Sequence, residues 1–153
     1  LPEEARIWVY QSNRPFSEEE IQHITKDLEA FLTQWTAHGS DLHAGYELPY
    51  NRFIVIGLDQ SGASASGCSI DASVHFLQAL EAKYGVTLLD RMNVTYKQGE
   101  YLAYKSLSEF RKMAKARSVS GKTIVFNNLV TNKQDYTENW EVPAAESWHS
   151  RFF

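Results

Sequence analysis

RFIVIGLDQSGASASGCSID (residues 52–71) decides how the rest of the chain is read. Its first part is apolar from Phe53 to Leu58. A run of that length with no polar alternation predicts a strand buried on both faces, at the centre of a sheet. The small residues of 61–71 then lead into SVHFLQALEAKYG, where Ile70, Val74, Leu77 and Leu80 recur at helical spacing and Gly85 supplies a stop. This order of strand, small-residue loop and helix puts backbone N–H groups and a helix N-terminus at the carboxyl end of a strand, where α/β proteins commonly bind ligands. Ser66, Gly67, Cys68 and Ser69 are therefore the candidate ligand-binding residues.

On the N-terminal side, LHAGYEL (42–48) alternates, with Leu42, Ala44, Tyr46 and Leu48 on one face and His43, Gly45 and Glu47 on the other. Pro49 to Asn51 then turns it into the central strand as a hairpin. ARIWVYQ (5–11) has the β-branched and aromatic content of a first strand. Ser17 and Glu20 form a capping box for a helix on which Ile21, Ile24, Leu28, Phe31, Leu32 and Trp35 share a face as far as Gly39. It predicts a rod of about 30 Å.

On the C-terminal side the pattern predicts a strand near 88–96, a turn at Gln98 and Gly99, and a strand over 100–105. Ser106 and Glu109 then form another capping box, opening a shorter helix that packs Leu107, Phe110 and Met113, and TIVFNNLV (123–130) is the last clear strand. The tail is polar until Trp140, and Pro143 suits the start of a short final helix. The first six elements read β-α-β-β-α-β, the ferredoxin-like order, with an antiparallel or mixed sheet and a C-terminal β-α-β extension. The expectation is a single α+β domain over residues 1–153, its core about 5–96 and its extension about 100–153.

With 153 residues, 43% of them hydrophobic and 22% charged, the chain can build its own core, and 13% aromatic content predicts a core or interface rich in rings. A formal net charge of −4 argues against broad attraction to nucleic acid or anionic membranes. The longest apolar run is strand-sized, so no membrane insertion is expected. One cysteine excludes an internal disulfide and a thiolate-rich zinc site, and fits a cytoplasmic location.

Cys68, Asp71 and His75 lie at i, i+3 and i+7, one stripe of a helix, and are the catalytic candidates. A thiol at a helix N-terminus can be nucleophilic. His75 stands about 10 Å away along the axis, which leaves His43 and His149 as alternative bases. Asp71 is expected in the first helical turn, where it would already complement the dipole. With Asp59 it also forms the candidate pair for a hard cation. Gly121, Lys122 and Thr123 resemble the end of a P-loop, but a helix precedes them and a strand follows, the reverse of the phosphate-binding context. Arg111, Lys112, Lys115, Arg117 and Lys122 make a basic cluster. Trp148, Phe152 and Phe153 at the chain end should dock on the fold or across a dimer.

The combination of YNRFIV, SGCSID with SVHF, TIVFNNLV and SWHSRFF resembles a small bacterial family of uncharacterised proteins often labelled "ABC transporter ATPase". That resemblance implies ATP binding and hydrolysis. No Walker A loop and no LSGGQ signature accompanies it here. The leading expectation from the residues is a non-catalytic binding or protein-interaction module with no required cofactor, taking a small ligand or a second copy of itself. The alternative is an enzyme or ATP-utilising protein with its site at the 61–71 loop.

Overall fold

The computed structural model describes residues 1–153. The chain forms two compact units, one of Leu1–Leu89 with Thr131–Gln134 and one of Asp90–Val130 with Asp135–Phe153. Its sheets are antiparallel and its class is α+β. No helix is long and apolar enough to cross a membrane.

The first unit contains β1 (Arg6–Gln11), α1 (Glu18–Gln34), β2 (Thr36–Ala37), β3 (Ser40–Asp41), β4 (His43–Glu47), β5 (Phe53–Asp59) and α2 (Gly67–Tyr84). β5 lies between β1 and β4. The continuous apolar run is explained by its two faces. Ile54, Ile56 and Leu58 join Ile24, Leu28 and Leu32 of α1 and Leu77 and Leu80 of α2 in one cluster. Phe53 and Val55, of opposite parity, are buried as well.

The capping box at Ser17 forms with both of its bonds. Glu20 also accepts a fork from Arg14, with both N–O distances 2.9 Å. This bidentate pairing, helped by the Ser17 N–H, holds the Glu20 carboxyl at about 2. Arg14 donates further to the Tyr84 carbonyl at 2.7 Å, tying the start of α1 to the end of α2.

α1 ends earlier than its apolar spacing suggests. Trp35 is already extended, and the chain turns through His38 and Gly39, with φ of 52° and 79°, into the β2–β3 hairpin. Two consecutive positive φ values are what a two-residue hairpin turn needs. On α2 the buried stripe is Ser69, Ser73, Leu77 and Leu80, while Ile70 and Val74 are only half-buried. At Ser69 a small residue faces inward where the Trp35 ring comes close enough for its Nε1 to donate to the Ser69 carbonyl at 2.8 Å.

The second unit holds β6 (Asn93–Gln98), β7 (Tyr101–Ser106), α3 (Leu107–Lys115), β8 (Ile124–Phe126), most of α4 (Lys133–Asn139) and β9 (Glu141–Pro143). Its strands run in the order β7-β6-β8-β9. The ferredoxin-like arrangement is therefore not formed, since β6 joins its hairpin partner β7 and β8 rather than the sheet of β1. The free side of β1 is taken instead by a distant segment. Ile7 N–H donates to the Thr131 carbonyl at 2.9 Å, and Arg6 bridges Asn132.

The expected strand over 123–130 stops at Phe126, because Asn127 turns the chain and accepts the Leu129 N–H on its own side chain at 3.1 Å. α4 and β9 occupy the tail, and after Pro143 come short 3₁₀ turns rather than a full helix. Phe110 centres the unit's cluster with Val94, Tyr96, Val119, Val125 and Ala144.

α3 closes with the reciprocal bonds Arg117 N to Ala114 O and Ser118 N to Met113 O. The closing residue Arg117 has φ of 62°, a conformation that favours glycine. Arg117→Gly is expected to raise the denaturant midpoint of this unit by the equivalent of about 1 kcal/mol. An unchanged or lower midpoint would show that the arginine side chain contributes more than the strain costs.

Candidate functional site

Ser66, Cys68, Ser69 and Ala72, at the head of α2, form one wall of a cleft of about 400 Å³. The facing wall is the end of α1 and the hairpin after it, contributing Phe31, Gln34, Trp35, Thr36 and His38. The rings are held rather than loose. Phe31 lies 5.5 Å from Trp35 and stacks on Phe76 at 4.5 Å, and Trp35 meets Trp8 edge-on at 5.9 Å. Beyond Phe31 and Gln34 a groove of about 320 Å³ continues between α1 and α2 to Asp27 and Lys83, which pair at 2.9 Å.

Ser66, Cys68 and Ser69 line this cleft as the sequence predicts, with Gly67 between them. Ser66 caps the helix and Ser69 returns the bond. Ser69 N–H donates to Ser66 Oγ at 3.1 Å, and Ser66 N–H to Ser69 Oγ at 2.6 Å. Serine thus does at the third position what glutamate usually does. The capping bonds leave the Gly67 and Cys68 N–H groups at the helix end for an acceptor.

Among the catalytic candidates, Cys68, Asp71 and His75 are all exposed, and only Cys68 lines the cleft. Because α2 starts at Gly67, Asp71 lies past the first turn, and no acidic residue occupies that turn. The sequence-based objection to an acceptor at this helix end therefore falls. His38, not His75, shares the cleft with Cys68. Its signal in the sequence is the His-Gly pair of a hairpin turn, masked by helical spacing that runs on toward Gly39.

Asp59 folds back on its own loop, accepting the Ser61 hydroxyl at 2.7 Å and the Ser61 N–H at 2.9 Å. Those bonds, the hydroxyl first, pull its pKa below the usual carboxylate value. No group of three or more His, Cys, Asp or Glu side chains is placed to hold a metal ion, so Asp59 and Asp71 have no third ligand.

In the second unit Gly121 to Thr123 form the turn into β8, and their donors are spent locally. Lys122 N–H bonds Ser120 Oγ at 3.1 Å, and Thr123 N–H bonds the Ser120 carbonyl at 3.1 Å. The basic residues Arg111, Lys112, Lys115, Arg117 and Lys122 are all exposed. Trp148 and Phe152 pack on the Phe110 cluster, and Phe153 remains 49% exposed. His149 is buried, its Nδ1 2.7 Å from Ser147 Oγ and its ring 6.2 Å from that of Phe110. No family model, no curated protein and no solved structure matches the chain.

Proposed function

We propose that the chain is a cytoplasmic, non-catalytic binding module that takes a small ligand in the cleft at the head of α2. The observation that carries this reading is a cleft of about 400 Å³ with the rings of Phe31 and Trp35 on one wall and the head of α2, at Ser66, Cys68 and Ser69, on the other. Such a site suits a molecule with a flat apolar part and a hydrogen-bond acceptor. Gln34, Thr36 and His38 supply polar contacts around the rim. The single thiol, exposed on that rim, fits a reducing compartment.

The alternative, an ATP-utilising protein as the family label implies, uses the same cleft with Mg-ATP as the probe. Two measurements separate the readings. In a fragment titration followed by NMR, ligands are expected to shift the Trp35 indole and the Gly67 and Cys68 amides, and to slow alkylation of Cys68 by iodoacetamide. Fragments that bind only elsewhere would remove the cleft from the proposal. Mg-ATP is expected to show no turnover, and Lys122→Ala to leave any ATP affinity unchanged. Hydrolysis blocked by alkylation of Cys68 would make the enzyme reading the better one, and hydrolysis that disappears in Lys122→Ala would place the site at Gly121–Thr123 instead of the cleft.

A further inference from the structure

The sheet of the first unit has two edges, and the chain treats them differently. The edge of β1 is covered at Arg6 and Ile7 by residues 131–132. β4 pairs with β5 along its whole length and has no strand on its other side. Leu42 N–H reaches the Trp35 carbonyl at 3.1 Å, the last bond of the β2–β3 ladder. Past it, the alternation of strand hydrogen bonding turns the N–H and C=O groups of Ala44 and Tyr46 to the same open side. Exposed edges are normally guarded by lysine, proline or a bulge. His43–Glu47, HAGYE, has none of these.

This edge matches itself. A two-fold axis that joins two such edges into one sheet stands normal to the sheet, so facing residues share a face and the axis passes through a residue. Centred on Gly45, the outward groups of Ala44 meet those of the partner's Tyr46. A small side chain then lies beside a large one, and the His43 ring meets the partner's Glu47 carboxylate. Centring on Ala44 or Tyr46 would instead leave His43 or Glu47 facing glycine. We infer that the outer edge of β4 is a self-association edge, on which two copies of this chain pair antiparallel about Gly45 into one continuous sheet. The contact is short, so the dimer is weak and dependent on concentration. It is independent of the cleft and of any ligand there.

Sedimentation velocity over a concentration series tests this. The wild-type mass is expected to rise from one chain to two. A Cβ at Gly45 meets only Leu1 Cδ1, at 4.0 Å, so Gly45→Lys fits the single chain. At the axis it sets two ammonium groups against each other and should weaken pairing by about tenfold or more. Glu47→Lys should weaken it too. His43→Lys should strengthen it severalfold, a gain that damage to the fold cannot produce. In a Cys68→Ser background, Gly45→Cys should give a covalent dimer on oxidation. A wild-type monomer at every concentration overturns the inference. So does a dimer that survives Gly45→Lys but separates on Phe153→Ala, since the contact then lies at the chain end.

Discussion

Ending the chain at Ser147 is expected to lower the stability of the second unit by roughly 5 kcal/mol or more, most of what a small domain possesses. Phe110 is fully buried, and much of its surround comes from the last six residues. Phe152 stands edge-on at 5.6 Å, Phe153 at 6.2 Å and the His149 ring at 6.2 Å, against 5.5 Å for Tyr96, which would remain. Truncating a fully buried ring costs roughly 3 to 5 kcal/mol. Trp148 and Phe152 are only partly buried, so each contributes less than that, but the loss also opens the Phe110 site to water. Hydrogen exchange reads the two units separately. Amides of Val94, Tyr96 and Val125 should lose protection in the shortened chain, while those of Ile54 and Ile56 keep it. Equal protection of Val125 in both proteins would mean that the tail does not close this core. Loss at Ile54 as well would mean that the two units do not unfold independently.

What the sequence disclosed follows from how local each signal is. Ser17 with Glu20, and Ser106 with Glu109, lie within one helical turn; the first forms a complete capping box, the second only its serine half, with Ser106 Oγ accepting the Glu109 N–H. The run Phe53 to Leu58 announces a strand buried on both faces whatever covers it, and β5 is central. Strand partnership is not local. Nothing in residues 5–11 indicates that Ile7 will bond Thr131, 124 positions later, and without that bond in view the element order alone predicts that β6 completes a ferredoxin-like sheet. The cleft was half legible for a similar reason. Its α2 side is a contiguous stretch, whereas its other wall depends on where α1 ends. Trp35 continues the helical spacing in sequence but leaves the helix in space, bringing Thr36 and His38 to the site. Hydrophobic spacing alone does not show the buried stripe on α2, since Ser69 and Ser73 are polar, and Ser69 lies where Trp35 comes close.

Acid is expected to weaken the second unit through His149 alone by about 2 to 3 kcal/mol between pH 6.5 and pH 4. The residue is 1% exposed, with the Trp148 ring stacked on it at 3.8 Å and Ser147 Oγ at 2.7 Å from Nδ1. Burial, and then the positive charge of Arg151, lower its pKa from 6.5 to about 4. The folded chain therefore keeps the ring neutral where the unfolded chain has already taken a proton. In that interval the unfolded state binds more protons, so stability falls as pH falls, beginning near pH 6.5 and levelling off near pH 4. Each pKa unit is worth about 1.4 kcal/mol, and relaxation of the surroundings around a charged ring trims the total. Glu20 acts in a different window. Its carboxyl is lowered from 4.5 to about 2, so its contribution is present above pH 4.5 and is lost only on further acidification. Urea midpoints of wild type and His149→Gln, measured from pH 7 to pH 4, isolate the histidine, because every carboxylate contributes equally to both. The wild type should lose more stability than the variant, with the difference growing as pH falls through 6.5. Parallel curves would show that His149 takes up its proton in the folded protein, which would require the packing of Trp148 over the ring to open in mild acid.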